Sequence, residues 1–143
     1  MKITRKASAE WSGGLKDGKG AISTESGALA AYPYGFASRF EGTRGTNPEE
    51  LLGAAHAGCF TMALSLILGE ANLTATKMET SAKVTLEQVE GGFAITKIHL
   101  TLQGQVPGTD EATFKQLAAK AKANCPVSKV LNAEITMDAS LTA

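Results

Sequence analysis

The run Asn47-Pro48-Glu49-Glu50, followed by an apolar stretch from Leu51 to Leu68, constrains this chain more than any other segment. Asn47 is a good cap for the free amides of a helix start, and Pro48 fits the first helical position. Glu49 and Glu50 lie where the helix dipole favours negative charge. Beyond them, apolar residues cover nearly the whole circumference, and Ala54, Ala55, Ala57, Gly58 and Ala63 give part of it a small-residue face. A helix apolar on all sides is predicted to be buried. About 20 residues of helix run roughly 30 Å, so in a chain of 143 residues this should be the central element. Gly69 and Asn72 are its predicted end.

Around this helix the pattern is mostly that of strands. Lys2 to Trp11 alternates weakly, Gly13-Gly14 marks a turn, and Gly20 to Glu25 reads as a second strand. Tyr32-Pro33-Tyr34-Gly35 reads as a turn. In Phe36 to Glu41, Phe36 and Phe40 alternate with Ala37, Arg39 and Glu41, so a strand there would turn Arg39 away from the two phenylalanines. After the helix, Lys77 to Leu86 and Phe93 to Leu102 alternate about a hairpin signal at Glu87–Gly92. Asp110 should cap a second helix carrying Phe114, Leu117, Ala118 and Ala121 at helical spacing. Asn124-Cys125-Pro126 interrupts it, a short helix runs to about Leu131, and Ala133 to Leu141 is a last strand. The prediction is an α+β domain spanning 1–143, with short antiparallel strands around a long central buried helix.

Fourteen basic and fourteen acidic residues cancel, and no lysine or arginine block stands out. Neither nucleic acid nor an anionic membrane is therefore an expected partner. Met1 to Lys6 is basic but leads into Ala-Ser-Ala-Glu-Trp rather than an apolar run, which does not fit a signal peptide. A cytoplasmic setting is expected. There two cysteines are buried thiols or a working redox pair rather than a permanent disulfide.

The two thiols, Cys59 and Cys125, have different surroundings. The thiolate is the nucleophile, and an ordinary cysteine of pKa about 8.5 is only a few per cent ionised near neutrality. Cys59 lies about twelve residues into its helix, beyond the reach of the dipole, and burial pushes its pKa up. A guanidinium at about 4 Å contributes on the order of 4 kcal/mol at an effective dielectric near 20, so a reactive Cys59 needs an arginine. Of Arg5, Arg39 and Arg44, Arg39 is the best placed, beside phenylalanines that can wall a pocket. Glu49 could grip that guanidinium with both carboxylate oxygens, or simply satisfy the helix dipole. Glu49 and Cys59 are ten residues apart, about 15 Å on one straight helix. If all three converge, Glu49 comes from a neighbouring subunit, and a catalytic reading predicts a dimer. Cys125, with Pro126 in the first helical position, suits a resolving thiol or a small buried cysteine at a kink. His56 suits a packed core residue better than a nucleophile's base, and with His99 it gives no zinc-type spacing. Gly58 hints at a close approach beside the thiol.

The segment Gly45-Thr46-Asn47-Pro48-Glu49-Glu50-Leu51-Leu52, running into Ala54-Ala55-His56-Ala57-Gly58-Cys59-Phe60, resembles the osmotically inducible protein C and organic hydroperoxide resistance family. So do Asn124-Cys125-Pro126-Val127-Ser128, Ser23 to Gly27 and Tyr34-Gly35-Phe36, and the resemblance spans essentially the whole chain. Phe36 to Gly42 resembles the osmotically inducible branch, whose active-site arginine lies just before the long helix. Gly58 stands where alanine is expected. The resemblance implies an intertwined homodimer and a two-cysteine peroxidase, with Cys59 peroxidatic, Cys125 resolving, and Arg39 and Glu49 tuning the first thiol. It also implies organic hydroperoxides, alkyl or fatty-acid, as substrates and a dithiol reductant, a lipoyl-type donor among the options. Phe36, Phe40, Leu52, Phe60 and Met62 are the expected apolar surround for the organic tail. No metal or other cofactor is required. Two other readings stay open: a non-catalytic dimer holding a lipid-like ligand, and acyl transfer by Cys59 with His56.

Overall fold

The computed structural model describes residues 1–142, in two compact units, Met1–Leu51 and a second beginning at Leu52. In the first, β1 (Ala7–Ser12) pairs antiparallel with β2 (Lys19–Thr24), Ala7 opposite Thr24 and Ser12 opposite Lys19. The expected turn at Tyr32–Gly35 instead begins with a short strand, β3 (Tyr32–Tyr34), antiparallel to β2. Trp11 of β1 meets Tyr34 of β3 edge-on, with ring centroids 5.6 Å apart.

The strand expected at Phe36–Glu41 is a helix, α1 (Phe36–Phe40). A spacing of four between the phenylalanines fits both a two-residue and a 3.6-residue period, and local hydrogen bonds favour the second. The buried Ser38 hydroxyl accepts from the Gly35 N–H at 2.9 Å and bonds the Thr46 carbonyl at 2.9 Å. Phe36 and Phe40 stack one turn apart, with centroids at 5.0 Å. Arg39 does not point away from them; its guanidinium lies over the Phe40 ring at 5.5 Å.

The long helix α2 (Pro48–Glu70) starts as the sequence predicts, with Asn47 Oδ1 accepting from the Glu50 N–H at 2.8 Å. It ends where Asn72 takes a left-handed conformation (φ 59°) and the Leu73 N–H returns to the Leu68 carbonyl at 2.8 Å. Burial is the correction. Only one face is covered, carrying His56, Phe60, Leu64, Ile67 and Leu68, whereas Met62 is 76% and Leu66 68% exposed. Gly58, read as a point of close approach, has open space around it.

The second unit is built on three strands, β4 (Lys77–Val89), β5 (Gly92–Gln105) and β6 (Glu134–Thr142). β4 and β5 are longer than expected and form an antiparallel hairpin whose tip needs the positive φ of Gly91 and Gly92. The expectation of purely antiparallel strands also fails, because β6 lies parallel to β5 from Lys97–Glu134 to Gln105–Thr142. Two helices between them, α3 (Glu111–Asn124) and α4 (Pro126–Val130), carry the chain back, which is what a parallel pair requires. Asp110 caps α3, accepting from the Thr113 N–H at 2.7 Å. Ile98, Leu100 and Leu102 of β5 pack with Phe60, Leu64 and Leu68 of α2 and Phe114, Ala118 and Ala121 of α3 in one core.

Candidate active site

Pro126 explains how Cys125 comes to face α2. A residue before proline is held out of the helical region, and Cys125 accordingly adopts ψ 123°. Its N–H still bonds the Ala121 carbonyl at 2.9 Å and closes α3, while Pro126 opens α4. The chain therefore turns at Cys125, whose thiol sits in the core cluster against which Cys59 packs, near enough for each to perturb the other's ionisation. Both cysteines are free; Cys125 is fully buried and Cys59 half-buried.

The pair divides charge unequally. Burial raises the Cys59 thiol above its ordinary value, and its hydrogen bond to Cys125 raises it further, against a smaller lowering by the Val127 N–H. Burial also acts to raise Cys125. There it is outweighed by hydrogen bonds from the Cys59 thiol, from the Ser128 N–H and hydroxyl, and from the Val127 N–H, so Cys125 falls below its ordinary value. The surroundings thus favour negative charge on Cys125 over Cys59.

Beside Cys59 opens a cavity of about 790 Å³, lined by Met62, Leu66 and Ile67 of α2 and by Asn124 and Pro126 across from them. Its walls are mainly apolar, and its size falls in the range of small-molecule sites. Lys120 and Glu70 also border it. Of the five residues expected to hold an organic tail, Met62 lines this cavity. Phe60 does not, because it is turned wholly into the core. Leu52 is half-buried on α2 and is not part of the cavity wall. The wall follows positions 59, 62, 63, 66, 67 and 70, a helical stripe starting at the thiol. That spacing was available in the sequence and identifies Leu66 and Ile67, which composition alone did not.

In the first unit, Arg39 and Glu49 form the expected two-point pair, Nε to Oε1 at 3.0 Å and Nη2 to Oε2 at 3.2 Å. Both residues belong to the same chain. Phe36 borders a separate small cavity with Lys16 and Arg44, and Phe40 is exposed under the guanidinium. Ser128 was missed by sequence reasoning; its hydroxyl lies 2.7 Å from Nε2 of His56, 72 positions away. His56 is a packed, hydrogen-bonded core residue, as expected. His99 bonds Thr136 and Asp138 across β5 and β6, and among the described residues no cluster suited to a metal ion occurs.

The thiol of Cys59 opens on an apolar cavity, and in the first unit Arg39 pairs at two points with Glu49 in the first turn of the long helix. The OsmC-like protein family model matches residues 40–140. The chain belongs to the OsmC-like family. It is 60% identical over 141 residues to the peroxiredoxin OsmC of Escherichia coli, covering 99% of both chains. It is 34% identical over 102 residues to the organic hydroperoxide resistance protein of Xanthomonas axonopodis pv. citri, covering 71% of this chain and 68% of that one. The crystal structure of the organic hydroperoxide resistance protein OhrB of Bacillus subtilis superposes with a TM-score of 0.71 at 30% identity over 98% of both chains.

Proposed function

We propose that this chain is a thiol peroxidase that reduces organic hydroperoxides by a two-cysteine cycle. The observation that carries the reading is that Cys59, on the wall of an apolar cavity, packs against the core cluster holding Cys125, 66 positions away in sequence. In the first step the Cys59 thiolate attacks the terminal oxygen of ROOH. The O–O bond breaks, RO⁻ leaves and takes up a proton to become the alcohol, and Cys59 becomes a sulfenic acid. The Cys125 sulfur then displaces that oxygen as water and forms a disulfide. An external dithiol, which is itself oxidised, returns both cysteines to thiols. Cavity walls of Met62, Leu66 and Ile67 suit an alkyl or fatty-acid tail better than hydrogen peroxide.

Arg39 and Glu49 complete the site in a homodimer that acts in the cytoplasm, both units working as one peroxidase domain over 1–143. Burial and Cys125 both hold the Cys59 proton on, so the first step calls for a cation. In this reading Arg39, held in its fork by Glu49, reaches Cys59 of a second copy. A second copy also suits an apolar helix face that leaves Met62 and Leu66 bare.

The test is consumption of an organic hydroperoxide with a dithiol. Cys59→Ser abolishes turnover, and Cys125→Ser leaves a single-turnover burst. Mixing inactive Cys59→Ser with inactive Arg39→Ala and letting subunits exchange restores activity, because one hybrid site then holds both residues. Hydroperoxide turnover that survives Cys59→Ser refutes the enzyme, and failure of exchanged hybrids to recover refutes the shared site. Ligand binding without thiol-dependent turnover would favour the lipid-binding alternative.

A further inference from the structure

Behind Cys125, away from the cavity, a hydrogen-bonded chain runs into the core. Nε2 of His56 lies 2.7 Å from the Ser128 hydroxyl, and Ser128 stands in the first turn of α4, directly after Cys125, where its hydroxyl acts to lower the Cys125 pKa. His56 and Cys125 are each fully buried. The other imidazole nitrogen, Nδ1, is buried with no partner. This fixes the tautomer. A buried N–H without an acceptor is rarer and costlier than an unpaired acceptor, so the proton belongs on Nε2 and Nδ1 is the bare lone pair. An imidazolium would bury a charged, unpartnered N–H, and burial accordingly lowers the His56 pKa and keeps the ring neutral. Nε2–H then donates to Ser128, which frees the Ser128 O–H to donate onward.

We infer that His56, acting through Ser128, is a positioning residue for the resolving thiol: the imidazole donates to the Ser128 hydroxyl, which donates to the Cys125 sulfur and aims it at an oxidised Cys59. The inference rests on the two-cysteine reading above. Its force comes from what oxidation removes. In the reduced pair, the neighbouring Cys59 thiol acts to lower the Cys125 pKa. As a sulfenic acid Cys59 has no S–H, so the Ser128 hydroxyl and the N–H groups of Ser128 and Val127 remain as donors to Cys125. In the closing step the Cys125 electron pair makes the S–S bond while the Cys59 S–O bond breaks. The oxygen departs with that bonding pair as hydroxide and takes the proton that Cys125 gives up, forming water. No further oxidant is needed, because the peroxide has already supplied the two-electron oxidation.

The titratable groups around Cys125 are few. Cys59 of α2 lies nearby and His56 of α2 contacts Ser128, with Glu70 and Lys120 at the cavity by Cys59. Lys122 of α3 bonds the Ile135 carbonyl of β6, and Lys129 of α4 is exposed.

The experiment separates the two steps by mixing reduced protein with one equivalent of an organic hydroperoxide. A dimedone-type trap reads the sulfenic acid, and thiol loss by mass spectrometry reads the disulfide. His56→Leu and Ser128→Ala should not slow Cys59 oxidation, yet slow disulfide closure about ten-fold at pH 7 and move its pH profile up by about one unit. His56→Gln, which returns an N–H donor near the Nε2 position, should recover closure to within about three-fold of the parent. Unchanged closure and an unchanged profile in both deletions overturn the inference. So does closure in His56→Gln as slow as in His56→Leu, which would assign His56 to packing alone. If His56→Leu does not fold, Ser128→Ala, a small change at a half-buried site, decides alone. If the parent protein forms no sulfenic acid, the peroxidase reading fails rather than the relay. Alkylation of Cys125 in Cys59→Ser then tests the relay: adding Ser128→Ala should raise the midpoint by about one unit, and an unmoved midpoint refutes it.

Discussion

Gly104→Ala tests the packing that sets Cys125 in place. Gly104 lies on β5 beneath α3, the helix that delivers Cys125. A Cβ built there stands 2.5 Å from Cζ of Phe114, 2.9 Å from Cε1 and 3.4 Å from Cε2. Carbon atoms pack best at about 3.5–4.0 Å, so the ring or the strand must yield by roughly 1 Å. Phe114 is fully buried among core side chains and has nowhere to swing. Overpacking of this kind costs about 1–3 kcal/mol, which for a chain of this size lowers the melting temperature by about 3–9 °C. The assay is urea and thermal unfolding at fixed protein concentration, on Gly104→Ala, Phe114→Leu and the double variant. Because a shorter side chain relieves the clash, the double variant should be about 1 kcal/mol or more stabler than the sum of the singles implies. Stability of Gly104→Ala within about 0.3 kcal/mol of the parent, or strict additivity, would refute the reasoning.

Two further outcomes follow from the same geometry. The His56 pKa lies below its unfolded value of 6.5, so the unfolded chain binds the extra proton first; this stability is whole above 6.5 and is lost as pH falls through the folded pKa. Urea midpoints taken from pH 7.5 down to 5 should therefore fall less steeply in His56→Gln than in the parent, and equal slopes would refute the linkage. Leu66→Asn puts an amide on the cavity wall and should weaken kcat/KM for a bulky organic hydroperoxide about ten-fold, while hydrogen peroxide turnover stays nearly constant; equal losses on both substrates would remove Leu66 from tail recognition.

The sequence made the long helix legible because its start is chemically explicit: a capping asparagine, a proline and two glutamates. The cap at Asp110 and the hairpin strands were readable for similar local reasons. α1 was not, since Phe36 and Phe40 satisfy both periodicities, and the deciding contact, Ser38 to Thr46, is not local to the strand pattern. The parallel strand β6 was hidden because alternation reports a strand's faces and not the direction of its neighbour. Uniform hydrophobicity also misled on α2: residues that face the core and residues that face the cavity are equally apolar, so the pattern predicted burial all round. Cys59 and Cys125 stood out as the only cysteines, whereas Ser128 was invisible because a serine carries no chemistry until its partners are known.

The proposed two-step cycle needs negative charge on Cys59 first and on Cys125 second, and the two sulfurs compete for it. Hydrogen bonds to a charged group contribute about 1.5–3 kcal/mol each, and those at Cys125 hold the charge there. A guanidinium at about 4 Å from Cys59 contributes on the order of 4 kcal/mol, enough to outweigh any one of these donors. A cation brought to Cys59, as proposed for Arg39, would therefore shift charge toward the peroxide-facing sulfur. In the proposed cycle, oxidation would then end the competition, because a sulfenic sulfur no longer holds the anion. The order of the two steps in that cycle would then follow from which sulfur can still carry charge.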